Sequence, residues 1–425
     1  MKSRYLLIFS LLLSGVASSA NLLELYQLAL KADPEWLAAQ STEKASAEAY
    51  PQALSYLLPN ASVTSTYTDS YKDTGDTNSR LDSLVINQRL FNLGSFAGLS
   101  QADLKTEKAK IVLRDEADAL KLRVTERYFD VLTAQDGVTF AEAEEKALSR
   151  QLDQAKLRLE VGLIPITDVL EVQARFDTSV AATIAARNEL DSALESLKTV
   201  VGPDVDNSLP VMKTDAEFLT LDPASMDEWS DLAMQNNAAL AQARLNVEIA
   251  DKQVDIKRSG HFPSLDLKGT VNRYDGQDSV SLVNNESVAI TLTVPLFAGG
   301  LTSSESAEAS YSYEAAKSAL ELSRRETMRA VRDAYRGTQA AMLRVKALKA
   351  AEESAQSALN SVEQGLTVGT RTIVDVLDAQ SNWYRARRDY AQARYDYVIN
   401  VLSLQRTAGN LSDASIERVN AMLAE

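Results

Sequence analysis

The side chains that most often perform enzymatic chemistry are scarce in this sequence. Its 425 residues include one histidine, His261, and no cysteine. A serine–histidine–aspartate triad would depend on that single imidazole, and a cysteine nucleophile, a disulfide or a zinc site with several histidine ligands is impossible. We therefore expect no enzymatic activity, no metal site and no cofactor, and we interpret His261 as a packing residue at an interface rather than a ligand.

The charge of the chain is strongly negative. It contains 44 lysines and arginines against 59 aspartates and glutamates, which gives a formal net charge of −15. Proteins that bind nucleic acids neutralise phosphates with clustered lysine and arginine side chains. The composition therefore argues against a nucleic-acid partner.

Two aspartates, Asp375 and Asp378, have a spacing that suggests a charged site. Residues three apart lie on the same face of an α-helix, so both carboxylates would project in one direction. A simpler interpretation is that Asp375 caps the start of a helix together with Thr372, in a Thr-x-x-Asp box, and that Asp378 is only solvated. The spacing alone does not choose between these interpretations.

Residues 1–20 have the layout of a secretory signal peptide. Lys2 and Arg4 form a positive start, an apolar stretch runs from Tyr5 to Leu13, and small residues precede the expected cleavage site. The apolar stretch is too short to span about 30 Å of hydrocarbon, and no later stretch reaches ~18 apolar residues. We expect an exported chain without transmembrane helices, either soluble outside the inner membrane or inserted in an outer membrane as strands.

The mature sequence contains an internal duplication. The segment VGLIPITDVLEVQ at 161–173 aligns with VGTRTIVDVLDAQ at 368–380, which places Asp168 opposite Asp375. Further matches between the halves occur at similar offsets. The predicted units are a first repeat at 21–201, a linker or separate layer at 202–227, a second repeat at 228–409 and a C-terminal segment at 410–425.

Each repeat is predicted to contain a long helix. The segments 95–160 and 301–364 have no proline and few glycines, and apolar residues recur with the period of a left-handed coiled coil. Each would extend about 100 Å if helical throughout. Gly162 with Pro165, and Gly369 in the second repeat, predict tight turns into antiparallel helices. These returning helices are predicted at 163–201 and 371–408.

Four shorter segments alternate apolar and polar residues, as β-strands do. Strands of roughly ten residues suit a membrane β-barrel, although an ordinary half-buried sheet would show the same alternation. Four strands cannot close a membrane barrel, and open strand edges are not tolerated in lipid. Spanning strands would therefore require two, three or four chains to share one barrel. The predicted strands cover 61–71, 81–91, 265–274 and 287–297.

The signal segment, the duplicated halves and the two strand pairs together resemble the TolC family of outer-membrane export ducts. The stretches that carry the resemblance are LPNASVTSTY, RQLDQAKLRLEVGLIPITDV, GHFPSLDL, VPLFAGG and VGTRTIVDVLDAQ. The resemblance implies an α+β membrane protein in the outer membrane of a Gram-negative bacterium. It implies a homotrimer whose twelve-stranded barrel, with four strands per chain, continues as a twelve-helix coiled-coil tunnel in the periplasm. Segments 202–227 and 410–425 would supply an equatorial layer around that tunnel.

The family implies transport without bond chemistry. Its members form the exit ducts of tripartite efflux pumps and type I secretion systems, and pass drugs or proteins outward. The implied partners are a periplasmic adaptor (membrane fusion) protein, an inner-membrane pump of the RND, ABC or MFS type, and outer-membrane lipid. The alternative is a soluble periplasmic coiled-coil adaptor or chaperone, which the helical hairpins alone would fit.

The resemblance also implies a gate at the periplasmic tip of the tunnel. It assigns Asp375 and Asp378 to a constriction, where threefold repetition makes two rings of carboxylates that favour cations. Such concentrated charge also offers a point at which cations can block the channel.

Restraints between neighbouring helical hairpins would hold this gate closed. The resemblance places them on Arg371 of the second repeat and on Thr167 and Asp168 of the first. Leu366 stands where the family pattern has a tyrosine and cannot form its hydrogen bond, so one restraint of the family is lost or replaced here. The remaining polar positions assigned to the gate are Gln151, Gln154 and Glu363.

Overall fold

The computed structural model describes residues 21–71, 73, 76–203, 205, 209–213, 216, 218–276 and 283–424. The predicted signal segment 1–20 lies outside the described residues. Parts of the two strand–strand connections and of the linker 202–227 lie outside them as well. No helix within the described residues is both long and apolar enough to cross a membrane.

The order of elements occurs twice along the chain, which confirms the duplication read from the sequence. In each half, short helices precede a pair of strands, and a very long helix follows the strands and turns back into a shorter helix. The first half contains Leu22–Ala32 (α1), Pro34–Ala47 (α2), Ala49–Ser55 (α3), Asn60–Ser70 (β1), Thr77–Phe91 (β2), Leu93–Glu160 (α4) and Ile166–Val201 (α5). The second half contains Met226–Asn236 (α6), Ala238–Arg258 (α7), Ser264–Gly276 (β3), Val283–Thr293 (β4), Leu301–Thr367 (α8) and Ile373–Thr407 (α9), followed by Asp413–Ala421 (α10).

The strands form one antiparallel sheet in the order β1-β2-β3-β4. Strands β2 and β3 come from different halves of the chain and pair along most of their length, from Ser79 opposite Gly276 to Arg89 opposite Asp266. The sheet therefore joins the two halves. Its outer strands, β1 and β4, each have one edge without a partner among the described residues of the chain.

One face of the sheet carries apolar residues on every strand. Residues opposite each other in an antiparallel pair share a face. One row of this face consists of Ala61, Ile86, Gly269 and Val288. Ile290 lies on the same face and is 67% exposed in the single chain. The other face is polar, and there Ser83 Oγ and Asn272 Oδ1 are hydrogen-bonded at 2.8 Å. Exposed apolar surface of this extent indicates contact with lipid or with other chains.

Strand β4 lies earlier in the chain than the sequence pattern predicts. It runs over Val283–Thr293, not over 287–297. Pro295 has no N–H to donate, so the apolar alternation beyond Thr293 does not continue the ladder. At the other end, Glu286 pairs with Val271 of β3, and the strand extends into polar residues that the alternation does not mark.

The long helices form two antiparallel hairpins. Helices α4 and α8 have 68 and 67 residues and extend about 100 Å each at 1.5 Å per residue. Helix α4 packs against α5, which forms the first hairpin, and α8 packs against α9, which forms the second hairpin. Helix α4 also packs against α9, so the two hairpins lie side by side.

The largest apolar core lies where α1, α5, α9 and α10 pack against the middle of α4. Asp33 between α1 and α2 is 2% exposed. Its carboxylate accepts a hydrogen bond from Trp36 N–H at 2.7 Å and another from Arg123 Nη2 at 3.1 Å. A bridge between Met212 and Leu423 places parts of the linker and of the C-terminal segment together on this core.

Candidate functional site

Both hairpins end in the same backbone motif. Gly162 and Gly369 have φ angles of 75° and 77°, the left-handed conformation that commonly ends a helix. In each turn, the residue after this glycine donates its N–H to the carbonyl five residues earlier, at 2.9 Å. The turns at 161–165 and 368–372, with the helix ends beside them, are called the tip below.

An apolar cluster joins the two hairpins near the tip. Its buried members are Leu148, Leu152, Ala155, Val169, Val172 and Leu377. Leu377 is 2% exposed although it is the only buried member from the second hairpin. Its burial against the first hairpin fixes the position of the first turns of α9, which carry Asp375 and Asp378.

Asp375 caps the start of α9. Its Oδ2 accepts hydrogen bonds from Thr372 N–H at 2.8 Å and Thr372 Oγ1 at 2.9 Å, and Asp375 N–H donates to Thr372 Oγ1 at 3.2 Å. These hydrogen bonds, and then the positive charge of Arg371, lower the pKa of the Asp375 carboxyl. The side chain is therefore a carboxylate at neutral pH, and the Thr-x-x-Asp cap suggested by the sequence is present.

Asp378 is in an ion pair and is not simply solvated. Arg175 Nη2 on α5 donates to Asp378 Oδ1 at 2.8 Å, so the pair connects the first hairpin with the second. Arg175 Nε also lies 3.4 Å from Glu171 Oε1, one turn earlier on α5. Arg175 and Asp378 are 203 positions apart in sequence. Only the packing of α9 on the first hairpin reveals Arg175, because no local spacing in the sequence indicates it.

The predicted restraints lie at the tip, but the described residues of the single chain do not join them. The Arg371 guanidinium has no hydrogen bond or ion pair with Thr167 or Asp168, whose own side-chain oxygens lie 3.4 Å apart. Arg371 is exposed. The aliphatic part of the Arg371 side chain packs against Gly365. A Cβ added at Gly365 would lie only 2.6 Å from Arg371 Cγ. The link between Arg371 and the first hairpin stays a prediction.

The other polar positions assigned to the gate have different surroundings. Gln151 Oε1 is buried and has no hydrogen-bond partner within the described part of the chain. Gln154 and Glu363 are exposed. Leu366 is half-buried and has no polar side-chain atom, so it cannot supply a hydrogen bond. Of these positions, only Gln151 carries a buried polar atom that needs a partner.

The seam between α4 and α9 carries half-buried carboxyl groups farther from the tip. Tyr395 Oη donates to Asp136 Oδ2 at 2.7 Å. Burial raises the pKa of the Asp136 carboxyl, and burial also raises the pKa of Glu144, whose carboxyl group is hydrogen-bonded to Ser381. The hairpins are therefore held together by polar contacts along their length as well as at the tip.

The tip carries fixed charges from both hairpins. Within the described residues, no cluster of three or more His, Asp or Glu side chains is placed to hold a metal ion. The carboxylates of Asp375 and Asp378 and the guanidinium of Arg175 can attract or repel ions. Because Arg175 and Asp378 belong to different hairpins, their pairing depends on how the hairpins are arranged.

Comparison with known proteins finds related chains over nearly the full length. Residues 25–203 and 229–410 each match the family described as outer membrane efflux protein. The outer membrane protein TolC of Vibrio cholerae is 36% identical over 419 residues, which cover 97% of this chain and 95% of that protein. The alkaline protease secretion protein AprF of Pseudomonas aeruginosa is 31% identical over 438 residues, which cover 97% and 89%.

A solved structure confirms the predicted fold class. A crystal structure of CusC, from work on its folding and transmembrane channel formation, superposes with a TM-score of 0.81 at 17% sequence identity. The match covers 92% of both chains. At this identity, the likeness concerns the fold alone.

Proposed function

The chain belongs to the outer membrane efflux protein family, and on this premise we propose that three copies form one outer-membrane barrel continued by a helical tunnel. The protein is an outer-membrane efflux channel and not an enzyme. Members of the TolC family form trimeric channels that work with efflux pumps. The family match does not support the alternative of a soluble periplasmic adaptor or chaperone.

The open edges of the sheet are the observation that carries this proposal. Strands β1 and β4 each have an edge without a partner in the described chain, while one face of the sheet is apolar and exposed. Unpaired N–H and C=O groups are too costly to leave in lipid. Pairing of β4 in one chain with β1 in the next removes both edges, and repeating this contact closes a barrel of twelve strands from three chains.

Cysteine cross-linking between chains tests this arrangement, because the chain has no cysteine of its own. Thr64→Cys on β1 is combined in turn with Ser287→Cys, Ala289→Cys or Thr291→Cys on β4, all on the polar face. Mild oxidation should convert at least one of these three variants into covalent dimers and trimers on denaturing gels.

The matched control combines Thr64→Cys with Thr270→Cys on β3. These positions share the polar face but are separated by β2 and offset by two residues along the strands, about 12 Å apart at ordinary strand spacing and rise. That distance is too long for a disulfide. Absence of covalent oligomers from all three edge pairs, or equal cross-linking of the control, would contradict pairing of β4 with β1.

At the tip, the proposed gate contains rings of Asp375 and Asp378, one residue of each from every chain. The lowered pKa of Asp375 supports a ring that is charged at neutral pH. The apolar cluster around Leu377 supports a closed arrangement in which α9 rests on the first hairpin. Arg371, Thr167, Asp168, Gln151, Gln154 and Glu363 are proposed to restrain that arrangement.

Removing both rings should weaken block by divalent cations. In planar bilayers, the variant with Asp375→Ala and Asp378→Ala should need at least about tenfold more Mg²⁺ for half-block, roughly 1.4 kcal/mol, because the constriction loses its carboxylates. A control with Asp153→Ala and Asp177→Ala removes two exposed carboxylates from the first hairpin and should keep wild-type block. If Mg²⁺ blocks both variants equally well, the assignment of Asp375 and Asp378 to the constriction is wrong.

Partners are proposed to dock at the same tip. The turns and adjoining helix ends expose several large apolar side chains: Leu157, Val161, Leu163, Ile166 and Val368. Exposed apolar groups at the end of a long hairpin suit a protein contact. We assign this surface to a periplasmic adaptor, which would connect the channel to an inner-membrane pump of the RND, ABC or MFS type. Outer-membrane lipid would surround the barrel, and drugs or secreted proteins would be the cargo.

A further inference from the structure

We infer that Arg175 couples the ion selectivity of the channel to its opening, an inference that rests on the gate proposed above. The contact between Arg175 Nη2 and Asp378 Oδ1, at 2.8 Å, is an ion pair between the two hairpins at the tip. It holds a carboxylate that the proposed gate places in the constriction. Arg175 is therefore both a restraint on the closed tip and a residue that sets the charge of the Asp378 ring.

Apolar packing beside the pair sets its geometry. Leu377, next to Asp378 in sequence, is buried against Val172 of α5. Arg175 lies three residues after Val172 and thus on the same face of α5. Arg175 therefore meets Asp378 at the rim of the apolar cluster. The contact exists only while α9 rests on the first hairpin.

Arg175 has a second acidic partner that stays with it when the hairpins separate. Glu171 lies on the same helix, four residues earlier, with Oε1 at 3.4 Å from Arg175 Nε. This contact does not depend on the second hairpin. On separation, the guanidinium remains near Glu171, while Asp378 moves away with α9 and loses its positive partner.

The consequence is a change of charge in the constriction. In the closed tip, each Asp378 carboxylate is paired with one guanidinium, whereas Asp375 has no ion pair within the described chain and contributes most of the free negative charge. In the open tip, both rings carry free carboxylates. A constriction with more uncompensated negative charge favours cations more strongly, so cation preference should rise as the channel opens.

The pair also contributes to closure. A single exposed ion pair shifts an equilibrium by at most about fivefold. Three equivalent pairs that break in one concerted opening can together shift it by on the order of a hundredfold. Arg175 is therefore able to change the open fraction measurably although each contact is weak.

The test uses the whole protein, with Arg175→Gln compared against Arg187→Gln, in planar bilayers under a KCl gradient. Arg187 also lies on α5 and forms an exposed ion pair, with Glu142 at 2.7 Å. Glu142 belongs to α4, so that pair stays within the first hairpin. Arg175→Gln should raise the open fraction at least about fivefold. It should also shift the reversal potential of the low-conductance state toward that of the wild-type open state, whereas Arg187→Gln should change neither.

A charge exchange provides a second readout. The variant with Arg175→Asp and Asp378→Arg restores attraction between the hairpins but reverses the sign of one ring. Its open fraction should return toward the wild-type value, while the reversal potential of the open state moves toward anions. Arg175→Gln with a wild-type reversal potential in the low-conductance state, or a charge exchange that does not restore closure, would overturn the inference. If the double alanine variant of Asp375 and Asp378 also behaves as wild type, the proposed gate itself fails, which distinguishes the two failures.

Discussion

Replacing Ile290 by lysine should prevent assembly of the channel in the outer membrane. Ile290 lies near the middle of the apolar face of β4, opposite Leu267 of β3, and is 67% exposed in the single chain. A lysine on the lipid-facing surface at the bilayer midplane costs about 2–4 kcal/mol. A trimer carries three copies, so the penalty of about 6–12 kcal/mol is comparable with the whole stability of a typical folded protein. The measurement is the fraction of protein recovered as a detergent-resistant trimer from outer membranes.

The neighbouring residue is the matched control. Thr291 follows Ile290 in β4 and therefore faces the opposite, polar side of the sheet. Thr291→Lys adds the same charge and length to the lumen side, where water is available, so trimers should form at near-normal levels. Loss of trimers from both variants, or from neither, would show that the apolar face is not the lipid-facing surface.

Much of the architecture could be predicted because its signals are local. Gly162 followed by Pro165, and Gly369 in the second repeat, mark the two tip turns. The long helices that lead into these turns show continuous heptad spacing. The Thr372–Asp375 cap was predictable for the same reason, since Thr-x-x-Asp is a local pattern whose hydrogen bonds close within one turn. Even so, the spacing alone was equally consistent with a charged site formed by Asp375 and Asp378.

The strand ends illustrate where local patterns fail. Strand β2 begins at Thr77 and not at 81, because Thr77 pairs with Ser70 of β1 beyond the apolar part of the strand. Strand β4 stops at Thr293 although Val294 and Leu296 continue the alternation. The alternation of apolar and polar residues indicates which face of a strand is apolar. The ends of the strand depend instead on whether a neighbouring strand offers N–H and C=O groups to pair with.

The charge arrangement at the tip was the least predictable part. The spacing of Asp375 and Asp378 identifies them as a pair, but the structure gives them different environments. Asp375 is held within its own helix turn, whereas Asp378 is held by Arg175 from the other hairpin. The second environment depends on tertiary packing, so a sequence motif that treats the two aspartates as equivalent misses Arg175, the residue that distinguishes them.

Replacing Gly409 by alanine should destabilise the channel strongly, because two independent features of this position exclude a side chain. Its φ of 70° costs a non-glycine residue about 1–2 kcal/mol. The added Cβ would lie 2.3 Å from the backbone oxygen of Asn236, at a junction where Asn237 Nδ2 also donates to Thr407 O at 2.8 Å. Shifting this backbone adds about 1–3 kcal/mol. Circular dichroism of the detergent-solubilised protein should show a Tm at least about 5 °C lower.

Two other glycines separate the contribution of backbone strain from that of the clash. Gly369 has a φ of 77° and no atom within 4 Å of an added Cβ, so Gly369→Ala meets only the strain. Gly202 aligns with Gly409 in the duplication, has a φ of 95°, and places an added Cβ 3.3 Å from Ala32 Cβ. The decrease in Tm should therefore be smallest for Gly369→Ala, intermediate for Gly202→Ala and largest for Gly409→Ala. Equal decreases for all three variants would mean that strain alone matters, and that the close approach of Asn236 to α9 does not limit stability.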